Sequence, residues 1–411
     1  MKKTNWIPLF STNFIGVLND NFLKNLICFI GILWVPAEHK SQVIGIATAL
    51  MVLPFILFSS WAGKLSKEHS KAKIIQIAKL AEIPIMIFGA FGFYIQNIYI
   101  VMIANLLMGF QACMFSPSKY GIIRDIGGRE KISYGTGAME MFTFLGVLIG
   151  TASAGFVADL HLIPEIGERY KLIIFGILVG FAITGWAISK KINPDEEEPD
   201  LEEKISLNPI TFTYHCFKWS KSIKGLNFAI LGLGFFWMIA SLLQLNMIIY
   251  CPEKYHLSNT QTSMIMASLA IGIGLGSYIA GVISKHTVKT FLSPIGGIGM
   301  GICTLSIFTF NLPLVAFIIL IIVTAFFAGL YKVPLNAFLQ DRVKGRQLGL
   351  ILGYNNISDF IFILISSAIF SISEPLFGSS SIFLIATISI FLVTTIVYFN
   401  VPDSKLKYLK F

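Results

Sequence analysis

Charged side chains inside long apolar runs are the groups in this chain best placed to do chemistry. A central Asp, Lys or Arg in hydrocarbon costs roughly 2.5–3.5 kcal/mol on insertion scales, so each one needs a reason to be there. The run 8–36 carries the most charged and amide side chains: Asp20, Lys24 and four asparagines. Asp20 and Lys24 are spaced i, i+4, which stacks them on one helix face with the acid toward the N-terminus, the favourable order. Asn21 and Asn25 form a second i, i+4 pair about 100° around the helix, and Asn19 adjoins them. Asp20 lies about twelve residues into the run, roughly 18 Å along it at 1.5 Å per residue, near the middle of a bilayer. One reading is a zwitterion receptor: Asp20 meets an ammonium, Lys24 a phosphate, and the asparagines hold hydroxyls. The other is a self-neutralising pair that locks this helix to a neighbour.

Further polar groups interrupt later runs. Glu140 sits one to two turns into the run 133–158. Unpaired, it could carry a proton or bind a cation; paired, it would answer a basic residue such as Lys119 or Arg124. Gln244 and Asn246 suit either a cavity lining or interhelical hydrogen bonds. Lys79 and Glu82 are i, i+3 and read as a structural pair near a helix end. Asn355, Asn356 and Asp359 open the run 347–372 and suit a gate or a solvated helix end. Gly146, Gly150 and Gly155 in one run, and Gly272, Gly274, Gly276 and Gly281 in another, permit close helix approach. None precedes a Lys-Ser/Thr phosphate loop, so nucleotide binding is not indicated.

The elements that must position these groups follow from composition. Of 411 residues, 55% are apolar and 13% charged, and the mean hydropathy is +0.75. An ordinary soluble domain is nearer 25% charged, so a soluble enzyme and a disordered chain are excluded. Twelve crossings at about 20 residues each would use about 240 residues, which leaves room only for loops. Apolar segments of helical length fall at 8–36, 41–63, 74–95, 98–116, 133–158, 171–189, 225–250, 260–283, 291–310, 313–335, 347–372 and 381–400. The expected fold is an all-α polytopic membrane protein with six spans in 1–189, a linker over 190–224, and six spans in 225–411. The five cysteines are scattered with no C-x-x-C, which suggests neither a disulfide framework nor a metal site. No cofactor is expected. Lys2 and Lys3 precede a run without an A-x-A-like site, so the run reads as an uncleaved first span.

Net charge is +9. In a polytopic protein this reads as positive-inside bias, not as a nucleic-acid surface. With the N-terminus inside, the inner segments hold 26 of the 31 basic residues and the outer loops only Lys40, Arg169, Lys171 and Lys254. Both termini are therefore expected in the cytoplasm. The linker's acidic run, 195–200, reads as a solvated spacer. Phe212 to Lys224, with Phe217, Trp219, Lys218 and Lys221, reads as an amphipathic helix whose lysines meet anionic membrane lipids. The halves echo each other: Gly63-Lys64-Leu65-Ser66-Lys67 with Gly281-Val282-Ile283-Ser284-Lys285, Pro117 with Pro334, and Asp125 with Asp341. These three matches at nearly one offset suggest a duplicated six-span unit.

The stretch Gly63 to Lys73 resembles the loop 2–3 motif G-x-L-a-D-r-x-x-r-k-k of the major facilitator superfamily; Lys67 stands where that motif has aspartate. Phe14-Ile15-Gly16-Val17-Leu18-Asn19-Asp20-Asn21-Phe22-Leu23-Lys24-Asn25 resembles the F-L-G-x-F-N-D-N-x-x-K-N signature of bacterial lysophospholipid transporters. Lys79 to Ile83, Phe115 to Ile122 and Val333 to Gln340 resemble that family's K-x-x-E-I, G-P-x-K-Y-G and P-L-N-A-x-x-Q.

The resemblance implies a non-enzymatic flippase in the bacterial inner membrane. It would carry lysophosphatidylethanolamine and lysophosphatidylglycerol to the inner leaflet, where an acyltransferase restores the missing chain. With the chain ending at Phe411, that acyltransferase is expected to be a separate protein. The alternatives are a cation-coupled symporter or exporter of a small amphipathic solute, and a non-transporting scaffold. Substrate contact is expected of Asn19, Asp20, Asn21, Lys24, Asn25, Glu140, Gln244 and Asn246. Gating is expected of Lys64, Lys67, Lys119, Asn355 and Asp359. The seam between spans 5 and 8 is expected to open through Gly150 and Gly276.

Overall fold

In hydrocarbon a backbone N–H finds no water, so an apolar run about 20 residues long satisfies itself by coiling into a helix. The computed structural model describes residues 5–36, 40–160, 163, 165–194, 196, 206–257, 259–284, 287–345 and 347–404. Lys2, Lys3, Lys285, the lysines after 404 and most of the acidic run 195–200 lie outside them. Thirteen α-helices occur among the described residues: α1 (Ile7–Phe29), α2 (Lys40–Glu68), α3 (Lys71–Tyr94), α4 (Ile98–Gly127), α5 (Ile132–Asp159), α6 (Arg169–Ser189), α7 (Pro209–Ser220), α8 (Leu226–Tyr255), α9 (Asn259–Ser284), α10 (Leu292–Thr309), α11 (Leu314–Arg342), α12 (Gln347–Phe377) and α13 (Ser381–Asn400).

Eleven of these are long and apolar enough to cross a membrane. Twelve spans were expected, and α1 is the difference. It is 23 residues long, but its Asn and charged residues dilute its apolarity. They are accommodated because α1 packs against α5 and α6. α4 and α11 run past Pro117 and Pro334 to Gly127 and Arg342, well beyond the expected ends near those prolines. A proline removes one ladder bond, and neighbouring helices hold the rest. Short caps set other starts: Ser70 accepts from Lys73 N at 3.2 Å to begin α3, and Asn208 accepts from Ile210 N at 3.0 Å to begin α7.

The first six helices pack on one another, as do α8 to α13; the halves meet where α5 lies on α9 and α2 on α12. The C-half core is one large cluster that includes Phe236, Tyr250, Phe317 and Phe383, with a small second one around Phe291 and Leu330. The N-half core is two clusters, one around Phe22 and Met86, the other around Phe10 and Phe115. A buried polar layer at Asn13, Asn19, Lys79, Glu82 and Gln111 lies between them.

The expected seam glycines are corrected. A Cβ on Gly150 would strike the Leu18 carbonyl of α1, and one on Gly276 the Phe326 carbonyl of α11. Both therefore serve packing inside their own half. The glycines at the seams are others. A Cβ on Gly281 would lie 3.2 Å from Gly137 Cα across α5–α9, and one on Gly63 would lie 3.4 Å from Gly353 Cα across α2–α12. Gly63 and Gly281 were matched in the sequence echo, and Gly137 and Gly353 are separated by a similar interval. The two seams are thus built from corresponding positions, as a duplicated unit requires.

Candidate functional site

The N-half polar layer is partly committed to structure. Lys79 Nζ pairs with Glu82 Oε2 at 2.7 Å, and both are buried. The pair lies mid-way along α3, not near its end as expected. Asn19 Nδ2 donates to Glu82 Oε1 at 2.8 Å and to the Leu178 carbonyl at 3.1 Å, tying α1 to α3 and α6. Gly16 clears the space that the Lys79 ammonium occupies. Asn21 and Asn25 donate to the Val17 and Asn21 carbonyls at 2.8 and 2.7 Å, and Asn25 also to Thr151 Oγ1 at 3.1 Å. The amide nitrogens assigned to substrate hydroxyls are therefore already engaged.

Asp20 and Lys24 do not pair. The charges that act on Asp20 are those of Glu82, Lys79 and Lys119, whereas Lys24 is influenced by Cys28. The i, i+4 spacing is intact, but the carboxylate looks toward α3 and α4. Asp20 Oδ1 is buried and accepts no hydrogen bond. Of the two cations that act on it, Lys79 is paired with Glu82, which leaves Lys119 of α4. Lys119 Nζ donates to Asn13 Oδ1 at 3.3 Å and stands 5.1 Å from the Tyr120 ring centre. Lys119 has no ion-pair partner among the described residues. Its side chain is partly buried inside the bundle, beside Asn13 and Tyr120.

Glu140 of α5 bridges the two halves. Lys332 Nζ of α11 reaches Glu140 Oε2 at 2.9 Å, with both side chains buried. Tyr120 OH donates to Glu140 Oε1 at 2.7 Å and Asn336 Nδ2 to the same oxygen at 3.5 Å. Lys332 is further held among aromatic rings, 4.6 Å from Trp237, 5.1 Å from Phe236 and 5.6 Å from Phe144. Glu140 is thus neither an open substrate group nor paired with Lys119 or Arg124. Sequence reading missed Lys332. The signal was available: it is a lysine inside an apolar run, but it was counted with a loop. Lys79, inside the run 74–95, was miscounted in the same way.

The C-half contributes a cavity of about 200 Å³ between α8, α9 and α11, lined by Trp237, Leu243, Gln244, Met266 and Tyr331 and reached by Phe144 of α5. The lining is overwhelmingly apolar. Of the two readings left open for Gln244, its place is in the cavity lining. Asn246 is not in that lining: it is fully buried, and neither polar atom has a partner. Asn355 and Asp359 lie well inside α12, not at an exposed helix end. Asn355 Nδ2 donates to Asp359 Oδ2 at 2.8 Å, while Asp359 Oδ1 is unpartnered. Glu140 and Lys332 act on Asp359 electrostatically.

The end of the bundle that carries the linker is closed by bonds between the halves. Asn356 Nδ2 donates to Ser116 Oγ at 3.0 Å, Gln340 Nε2 to Thr136 Oγ1 at 3.0 Å, and Arg124 Nη1 to the Val343 carbonyl at 2.9 Å. Arg129 is ion-paired with Asp341. Its sequence echo, Asp125, instead pairs within its own half with Lys71 at 2.6 Å. So Asn356, not Asn355, crosses the gate. Lys64 approaches Glu68 at 3.7 Å on the same helix, and Lys67 is buried where α2 meets α12. Glu196 is no free spacer: its carboxylate accepts from the backbone of Lys71 at 2.7 Å and Ala72 at 2.9 Å, placing a negative charge at the N-terminus of α3.

Two six-helix halves around buried charge, closed at one end, have counterparts among known proteins. The Major Facilitator Superfamily model matches residues 10–367 and again 228–410, and the chain belongs to that superfamily of membrane transporters. Among curated proteins it is similar to the lysophospholipid transporter LplT of Photorhabdus laumondii subsp. laumondii, 25% identical over 328 residues, covering 79% of this chain and 77% of that protein. It is also similar to LplT of Serratia proteamaculans, 24% identical over 352 residues and covering 82% of each. Among solved structures the fold is similar to the human organic anion transporter MFSD10 (TETRAN), with TM-score 0.75, 12% identity, and coverage of 96% of this chain and 100% of that one. The E. coli fucose:proton symporter FucP aligns with TM-score 0.75, 13% identity, and coverage of 96% and 98%.

Proposed function

We propose that this transporter moves lysophospholipid across the bacterial inner membrane toward the inner leaflet. The observation that carries the reading is a separated pair of opposite charges. Asp20 offers a buried carboxylate oxygen with no partner, and Lys119 offers a cation with no carboxylate of its own. A zwitterionic headgroup supplies the missing half of each: its ammonium for Asp20, its phosphate for Lys119. Lys119 thus takes the phosphate role that spacing alone gave to Lys24. The apolar cavity beside Trp237 gives the lipid body a dry surface.

The acyl chain favours a lateral path. Each CH₂ kept out of water is worth about 0.8 kcal/mol, so roughly sixteen carbons forfeit about 13 kcal/mol if dragged through water. With both termini cytoplasmic, the closed linker end faces the cytoplasm and substrate enters from the outer leaflet. The test uses purified protein in liposomes given labelled lysophosphatidylethanolamine outside, with inward movement followed by albumin back-extraction. Protein-dependent protection of the label is expected, lost in Asp20→Asn and in Lys119→Gln. No protection with wild-type protein, together with uptake of a small amphipathic solute, would overturn the reading in favour of a solute transporter.

A further inference from the structure

The linker helix α7 divides its surface in three. Phe212, Cys216 and Ser220 are buried, and α7 packs on α2 and α12, the helices of one inter-half seam. Ser60 Oγ of α2 donates to the Leu207 carbonyl at 2.8 Å, and Asn227 Nδ2 of α8 to the Phe217 carbonyl at 3.1 Å, fixing both ends of the helix to the bundle. A second apolar stripe points away from the protein: Ile210 is 82% exposed, Tyr214 67% and Phe217 40%. At about 100° per residue, this stripe is centred roughly 120° from the buried one. Thr211, His215 and Lys218 form the remaining, polar edge.

A helix in water would have two sectors. Three sectors (protein, apolar, polar) fit a helix lying in the corner between a membrane protein and the bilayer surface. The neighbouring chain fixes the depth. Only five residues separate Ser220 from Leu226, where the membrane-spanning α8 begins, so α7 lies at that bilayer interface. The cations sit where lipid phosphates would be. Lys218, Lys221 and Lys224 are exposed, and Lys221 Nζ lies 4.7 Å from the Phe217 ring centre, at the border of the apolar stripe.

We propose that α7 is a binding surface for anionic phospholipid, with Ile210, Tyr214 and Phe217 inserted among acyl chains and Lys218, Lys221 and Lys224 paired with headgroup phosphates. Each lysine near an anionic surface strengthens such binding about fivefold, and the contribution is screened by salt. Because the opposite face grips α2 and α12, this contact ties the linker side of that seam to the leaflet beneath it.

The test places a spin label at Tyr214→Cys in otherwise cysteine-free full-length protein, held in nanodiscs of phosphatidylcholine with or without phosphatidylglycerol. Oxygen and nickel-chelate accessibilities give the depth of the label. A label below the phosphate level with phosphatidylglycerol, and shallower without it, is expected. The triple change Lys218→Gln, Lys221→Gln, Lys224→Gln should abolish the lipid dependence. Native mass spectrometry of the unlabelled protein should show phosphatidylglycerol retention weakened on the order of 100-fold by the same triple change. A water-exposed label in both lipids, or retention unchanged by the triple variant, overturns the proposal.

Discussion

Lys332→Met tests how the halves are held together. The change removes the cation facing Glu140, which then keeps only Tyr120 at 2.7 Å and Asn336 at 3.5 Å. Both members of the ion pair are almost wholly buried, so surface screening does not soften the loss. Removing one partner of a buried pair costs roughly 3–5 kcal/mol. The pair bridges α5 and α11, so the loss falls on the state in which the linker end is closed. That free energy corresponds to a shift of roughly 10²-fold to 10³-fold or more in the closed–open equilibrium, or to a comparable loss of stability. Glu140→Gln should be milder, because Lys332 remains among three rings and a desolvated cation–π contact is worth about 2 kcal/mol. The double variant should recover much of the loss in Lys332→Met, since no bare charge is left. The assay is a double-mutant cycle on thermal unfolding in detergent, paired with electron–electron distances between spin labels across the linker end. Additivity of the two changes within about 0.5 kcal/mol would show that the residues do not act as a pair and would refute the reasoning.

Four further outcomes are expected. Asp20→Asn should remove lysolipid movement while leaving expression and melting temperature near wild type, because the carboxylate bonds nothing through Oδ1; a large stability loss would mark it as structural. Lys24→Ala should be far milder in transport than Lys119→Gln, since Lys24 is not the partner of Asp20; equal defects in the two variants would contradict that separation. Gly150→Leu should reduce folded yield through its clash with α1, whereas a disulfide between cysteines at Gly274 and Met141 should leave folding intact and block transport until reduced. Undiminished flipping in the fully cross-linked protein would move the lateral opening to the α2–α12 seam. Glu196→Gln should destabilise the start of α3, seen as faster amide exchange at Lys71 and Ala72, because the charge bonds to a helix N-terminus are lost.

The sequence by itself determined the helical architecture. Hydrocarbon thickness sets helix length, and water-free surroundings leave the backbone only itself to bond, so apolar runs fix the elements without reference to tertiary packing. It also showed which runs carry costly polar groups, since insertion penalties are properties of single residues. Only the tertiary structure decided what those groups meet. Spacing puts Asp20 and Lys24 on one face, but the side chains answer to different neighbours. Glu140 and Lys332 are separated by 192 positions, and nothing local couples them. Glycine spacing announced close approach yet could not say to what: Gly150 and Gly276 turn inward to their own halves, and Gly63, Gly137, Gly281 and Gly353 make the seams. Pairing and facing depend on how helices rotate against one another, and that rotation is settled by the whole packed bundle.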